Sequence, residues 1–126
     1  MSATKEEMSR LIEALSTVRT SALPEECDIH AAIAQALAAR GLPCVHEYRL
    51  GPRRRIDFLS GRVGIEVKKG RPAAQALLGQ LRRYAESDEL DGLIVVTQRT
   101  TPLPDAIAGK PVVQVSLNRL WGVALP

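Results

Sequence analysis

Asp57, Glu66 and Lys68 are the side chains of this 126-residue chain best suited to chemistry, and they occur as I-D-F-L followed by I-E-V-K. Residues two apart on a strand share a face, so Glu66 and Lys68 project together while Ile65 and Val67 anchor the opposite side. If Ser60-Gly61 is a two-residue hairpin turn, Asp57 lies across from Gly64 and diagonal to Glu66 on one sheet face, with room for one ion beside the glycine. Facing carboxylates repel, and a hard divalent cation resolves the repulsion. Mg2+ or Mn2+ is the expected metal, because no cluster of His and Cys suits zinc. Lys68 beside such a site can touch a water or a substrate phosphate and lower the barrier to attack on phosphorus. The competing structural reading is a cross-strand ion pair on a solvated sheet face, which contributes less than about 1 kcal/mol.

The surrounding charge points to a polyanion. Between Arg49 and Arg83 ten basic residues stand against two acids, a local charge of +8 in a chain whose total is +3. Arg53, Arg54 and Arg55 adjoin the Asp57 strand, and with Lys69, Arg82 and Arg83 they are candidates to contact a nucleic-acid backbone. DNA is the expected partner, with RNA left open; a solvated basic surface is the plainer alternative. No apolar run approaches the roughly 20 residues that cross a bilayer, and the opening MSATKEEMSR is too polar for a secretory signal, so a cytoplasmic protein without a membrane partner is expected. Cys27 and Cys44 form no CxxC pair and read as half-buried thiols in a reducing compartment. His30 is four residues from Glu26, and His46 has no evident partner. Without a second ligand at metal spacing, both read as structural.

The elements that must position these residues follow from period and punctuation. Met8, Leu11, Ile12 and Leu15 predict an amphipathic helix over Lys5 to Val18, and a break at Thr20 to Pro24 precedes a second helix that opens at Pro24 and ends near Arg40, before Gly41. Its apolar stripe is Ile29, Ile33, Ala36 and Leu37. Val45 to Leu50, Arg54 to Leu59 and Arg62 to Lys69 predict an antiparallel meander, followed by a helix from Ala73 to Glu86 that packs Ala76, Leu77, Leu81 and Tyr84. LIVVT after Asp91-Gly92 reads as a sheet-interior strand, Pro111 to Leu117 as a further strand, and Trp121 to Pro126 as an edge. The order is helix, helix, three strands, helix, two strands: one α/β domain with a mixed sheet flanked by helices, in which residues 1–23 extend a core at 24–98 and 99–126 add the last strands.

These pieces resemble the PD-(D/E)XK nuclease superfamily from about Glu26 to Thr97. Asp57 is followed, after eight residues, by Glu66-Val67-Lys68, behind a short helix that begins with an acid. Ile56 stands where the family name has Pro. EECDIHAAIAQALAARGLP is similar to the first helix of archaeal Holliday-junction resolvases, with Glu26 as the helix acid and Glu25 as the second choice. Glu26 lies three residues before Ile29 and seven before Ile33, at the edge of the core-facing stripe, although two acids in a first turn also complement a helix dipole. The resemblance implies a restriction-endonuclease-like core, with Glu26, Asp57, Glu66 and the main-chain carbonyl of Val67 as metal ligands and Lys68 as a catalytic residue. Gln80 and Tyr84 resemble the QxxxY motif of the branch found in helicase-nuclease enzymes, and at i and i+4 they share a helix face. By that resemblance Gln80 orients the metal cluster or substrate, and Tyr84 with Arg82 or Arg83 contacts phosphates; a core tyrosine beside a surface glutamine is the alternative. A chain this small, without recognition insertions, implies a structure-directed or sequence-tolerant endonuclease. The rival readings are a catalytically silent nucleic-acid-binding or assembly module and a purely structural partner. The first helix and exposed strand edges could serve a homodimer.

Overall fold

The computed structural model describes residues 3–18 and 25–117. Helices α1 (Ala3–Leu15) and α2 (Glu26–Ala39) precede strands β1 (Val45–Gly51), β2 (Arg54–Ser60) and β3 (Val63–Lys68); α3 (Ala74–Ala85), β4 (Gly92–Thr97), β5 (Ala106–Ile107) and β6 (Lys110–Ser116) follow. The order matches the α/β expectation except for β5, which at two residues has no alternation to read. The break at Thr20 to Pro24 and the edge at Trp121 to Pro126 lie outside the described residues.

Local chemistry sets the helix ends. Asp28 accepts a 2.9 Å hydrogen bond from the Glu25 main-chain N–H, which fixes the first turn of α2, and Gly41 takes a φ of 69° just beyond its last turn. Ile29, Ile33 and Leu37 bury one stripe of α2, and Leu77, Leu81, Tyr84 and Ala85 bury one stripe of α3. Ala76, expected among the packing residues of α3, is exposed.

The sheet runs β1-β2-β3-β4-β6-β5, antiparallel from β1 to β3, parallel through β4 to β6, and antiparallel at β5. Every residue of β4 is buried, as an apolar strand between two parallel neighbours should be. One side of the sheet, with Phe58, Ile65, Val67, Ile94 and Val96, packs under α1 and α2. The other, with Ile56, Leu93, Val95 and Val112, packs under α3. No helix among the described residues is long and apolar enough to cross a membrane.

The β2–β3 register differs from the one the sequence suggests. Ser60 pairs with Val63, Leu59 with Gly64 and Phe58 with Ile65, so the turn is Gly61-Arg62, with Gly61 at a φ of 59°. Asp57 is therefore not opposite Gly64, and side chains fill the space beside that glycine. A Cβ on Gly64 would collide with Ile56 Cδ1 and crowd Leu90 and Leu93. Gly64→Ala should accordingly destabilise the protein by about 1–3 kcal/mol, as overpacking a core does. A urea midpoint equal to that of the parent would contradict this packing.

Candidate active site

The site begins where a ladder ends. Past Phe58–Ile65 no further β2–β3 pair forms, and Glu47–Asp57 is the row missing from the β1–β2 ladder between His46–Phe58 and Tyr48–Ile56. Glu47 takes a φ of 58° there. Ile56 packs on the α3 side and Phe58 on the α1–α2 side, although residues two apart on a regular strand share a face. The strand thus changes phase at Asp57. Its carboxylate Oδ2 accepts the Val67 main-chain N–H at 2.8 Å, and its own N–H lies 3.4 Å from Glu66 Oε1. Two main-chain donors left at the end of the ladder are taken by side-chain carboxylates.

On the α2 side, Glu26, His30 and Asp57 bring ligand-capable atoms within 4.8 Å of one another, the one such group of three among the described residues. His30 Nε2 lies 3.6 Å from Asp57 Oδ2 and 3.8 Å from Glu26 Oε2. It is buried without a hydrogen-bond partner. The other ring nitrogen, Nδ1, is 2.8 Å from His46 Nε2, and His46 stacks on Phe58 with ring centroids 4.8 Å apart. With His30 Nδ1 as donor to His46, Nε2 turns a lone pair toward two carboxylates, a donor set that a cation would complete. The donor set, two carboxylates and an imidazole, fits a divalent ion, and a first-row transition ion such as Mn2+ better than an oxygen-only site would. Glu25 instead approaches Lys69 at 3.6 Å, which separates the two candidate helix acids.

Glu66 stands apart from that group, on the α3 side. Its Oε2 is 3.2 Å from Lys68 Nζ, and its Oε1 accepts from the Tyr84 hydroxyl at 3.2 Å. That hydroxyl also lies 3.0 Å from the Arg55 carbonyl and accepts from Gln80 Nε2 at 2.9 Å. Gln80 and Tyr84 thus share the helix face that their spacing predicts, with the tyrosine as the link to Glu66. Glu66 is 3% exposed, and burial, with the Asp57 charge second, pushes its carboxyl up to about 7 against the opposing pull of Lys68. Burial and the Glu66 charge likewise hold the Tyr84 phenol above its ordinary range.

Of the residues expected to carry the site, Glu26 and Asp57 meet on one side and Glu66, Lys68, Gln80 and Tyr84 on the other, while Val67 joins the two through its main chain. Arg53, Arg55 and Arg83 line a cleft next to Tyr84. Arg54 pairs with Glu86 at 3.6 Å, and Arg82 is exposed outside that cleft. Sequence reasoning missed His30 and His46. The one signal for His30 was its i+4 spacing from Glu26; His46 gave none, because only the β1–β2 register brings it beside Phe58 and so to His30. Cys27, expected half-buried, is exposed. No family model, curated protein or solved structure matches the chain.

The raised Glu66 carboxyl sets a pH dependence in the metal-free protein. Between about pH 4.5 and 7 the folded state keeps a proton that the unfolded chain releases, so stability falls as pH rises through that window, by an amount on the order of 3 kcal/mol. Urea midpoints measured in chelator from pH 4.5 to 8 should show this decline, and Glu66→Gln should flatten it and raise the midpoint at pH 8. An equal slope in both proteins would mean that burial does not control this carboxyl.

Proposed function

We propose that this protein is a divalent-metal-dependent nuclease of the PD-(D/E)XK type on a restriction-endonuclease-like core, hydrolysing phosphodiesters in DNA. The observation that carries the reading is the unpartnered His30 Nε2 facing Glu26 and Asp57, one strand away from the Glu66–Lys68 pair. Glu26, His30 and Asp57 would hold the ion, and Glu66 would join them on leaving Lys68. Bound there, a divalent ion would offset the carboxylate charge and polarise a phosphoryl oxygen. Lys68, whose side chain is 30% exposed, can present its ammonium to a substrate phosphate or orient the attacking water once Glu66 has left it. Tyr84 and Gln80 fix the Glu66 carboxylate from the α3 side.

The test is incubation with labelled linear, branched and single-stranded DNA in Mg2+ or Mn2+. Cleavage should require the metal, with Mn2+ at least as effective as Mg2+, and should fall by about a hundredfold or more in Lys68→Ala and in Asp57→Ala. No metal-dependent cleavage of any substrate, or full activity in both variants, would remove the mechanism; metal-independent binding without cleavage would favour a silent binding module.

Metal binding has its own readout. At saturating Mn2+ the folded state should gain about 2–3 kcal/mol by linkage, seen as a rise in melting temperature. Asp57→Asn and His30→Ala should each lose most of that rise. A Mn2+ shift unchanged by either variant would place the ion elsewhere.

A further inference from the structure

Arg49, Arg53, Arg55 and Arg83 line one cleft of about 300 Å³ together with Gln80 and Tyr84. No acidic side chain lines it. None of these four guanidiniums has a hydrogen-bond or ion-pair partner among the described residues; Arg10, Arg71, Arg82 and Arg99 share that state, but only these four line one volume. One further feature works against such a cluster unless an anion fills it. Arg49 and Arg55 sit directly opposite each other in the β1–β2 ladder, where like charges repel.

We propose that this cleft binds the terminal phosphate monoester of a nucleic-acid strand; the identity of the strand rests on the nuclease reading above. A monoester carries nearly two negative charges and three terminal oxygens, against one charge for an internal diester, and guanidinium forks match those oxygens two at a time. A groove built to follow a backbone spreads its basic side chains past successive phosphates, whereas these four share a single volume. Tyr84 forms a common wall: it lines the cleft, and its hydroxyl lies 3.2 Å from Glu66 Oε1. A strand end anchored there leads its next phosphodiesters toward Glu66, Lys68 and Asp57, so cleavage is counted from an end rather than placed at random along a strand.

The test is fluorescence anisotropy, in chelator and at fixed salt, with one oligonucleotide carrying a 5′-phosphate, a 3′-phosphate or hydroxyls at both ends. One phosphorylated form should bind about ten- to a hundredfold tighter than the hydroxyl form. Arg49→Gln and Arg83→Gln, both at exposed positions, should each erase that preference, while Arg10→Gln on α1 removes the same charge on the other face of the sheet and should keep it. Equal affinity for all three ends, or a preference that survives the Arg49→Gln/Arg83→Gln double variant, overturns the proposal. Inorganic phosphate that displaces all three oligonucleotides alike assigns the cleft to the free ion and overturns it as well. The nuclease reading fails separately: metal-dependent cleavage without end preference removes only the end-binding cleft, and end preference without any cleavage leaves the cleft and removes the nuclease.

Discussion

Beyond Phe58–Ile65 the main-chain donors that β2 and β3 turn toward each other have no ladder partners, and buried donors cannot stay unpaired without a cost of about 1–3 kcal/mol each. Asp57 Oδ2 takes the Val67 N–H, and Glu66 Oε1 lies within reach of the Asp57 N–H. This exchange ties two carboxylates to the backbone of each other's strand. It also explains why the fork does not close: to restore the ladder, both acids would have to leave their donors and enter the sheet as facing charges. The positive φ of Glu47 in the same row extends the distortion into β1, so Ile56 and Phe58 reach opposite cores. A bulge-like change of phase next to functional side chains is a recurrent use of sheet irregularity.

The change of phase separates two acids that the amino-acid order brings together. Asp57 faces α2, with its carboxylate near His30 and Glu26, and remains partly exposed. Glu66 faces α3, where burial works against its charge and Lys68 and Tyr84 hold it. Each environment suits a different task. The Asp57 side gathers donors around an unpartnered imidazole nitrogen, and the Glu66 side keeps a carboxylate whose protonation responds near neutral pH. Val67, donating to Asp57 from the strand that carries Glu66 and Lys68, keeps the two environments in fixed relation.

Much of this was legible in the chain because it depends on period. The α2 stripe of Ile29, Ile33 and Leu37, the alternation through Val63 to Lys68 and the unbroken apolar run of β4 each announce an element and its buried face. Gln80 and Tyr84 were readable as a pair since helix geometry alone puts them on one side. The hairpin register was not. Ser60-Gly61 and Gly61-Arg62 are both acceptable two-residue turns, and choosing between them moves the residue opposite Gly64 from Asp57 to Leu59. His46 was illegible for a related reason: its neighbours, Phe58 and His30, come from two other elements, and no local pattern records a meeting across three segments. The same holds for Arg49, whose position opposite Arg55 appears only once β1 and β2 are paired.

The acidic group and the arginine cleft are best understood as consequences of one geometry rather than as two independent surfaces. The β1–β2 hairpin turns at Gly51 to Arg53, and it carries Arg49, Arg53 and Arg55 next to the last turn of α3, where Arg83 stands. The same hairpin, a few residues back along each strand, presents His46 and Asp57 to α2. A short ribbon thus carries both Asp57 of the acidic group and three arginines of the cleft without a loop insertion. Like charges are thereby concentrated in two places where each repels itself, and their proximity gives the field a direction, from guanidiniums through Tyr84 to carboxylates. On the reading proposed above, a phosphate-bearing chain that enters this field would meet the guanidiniums first and reach the carboxylates along its own backbone, so the hairpin would set its orientation.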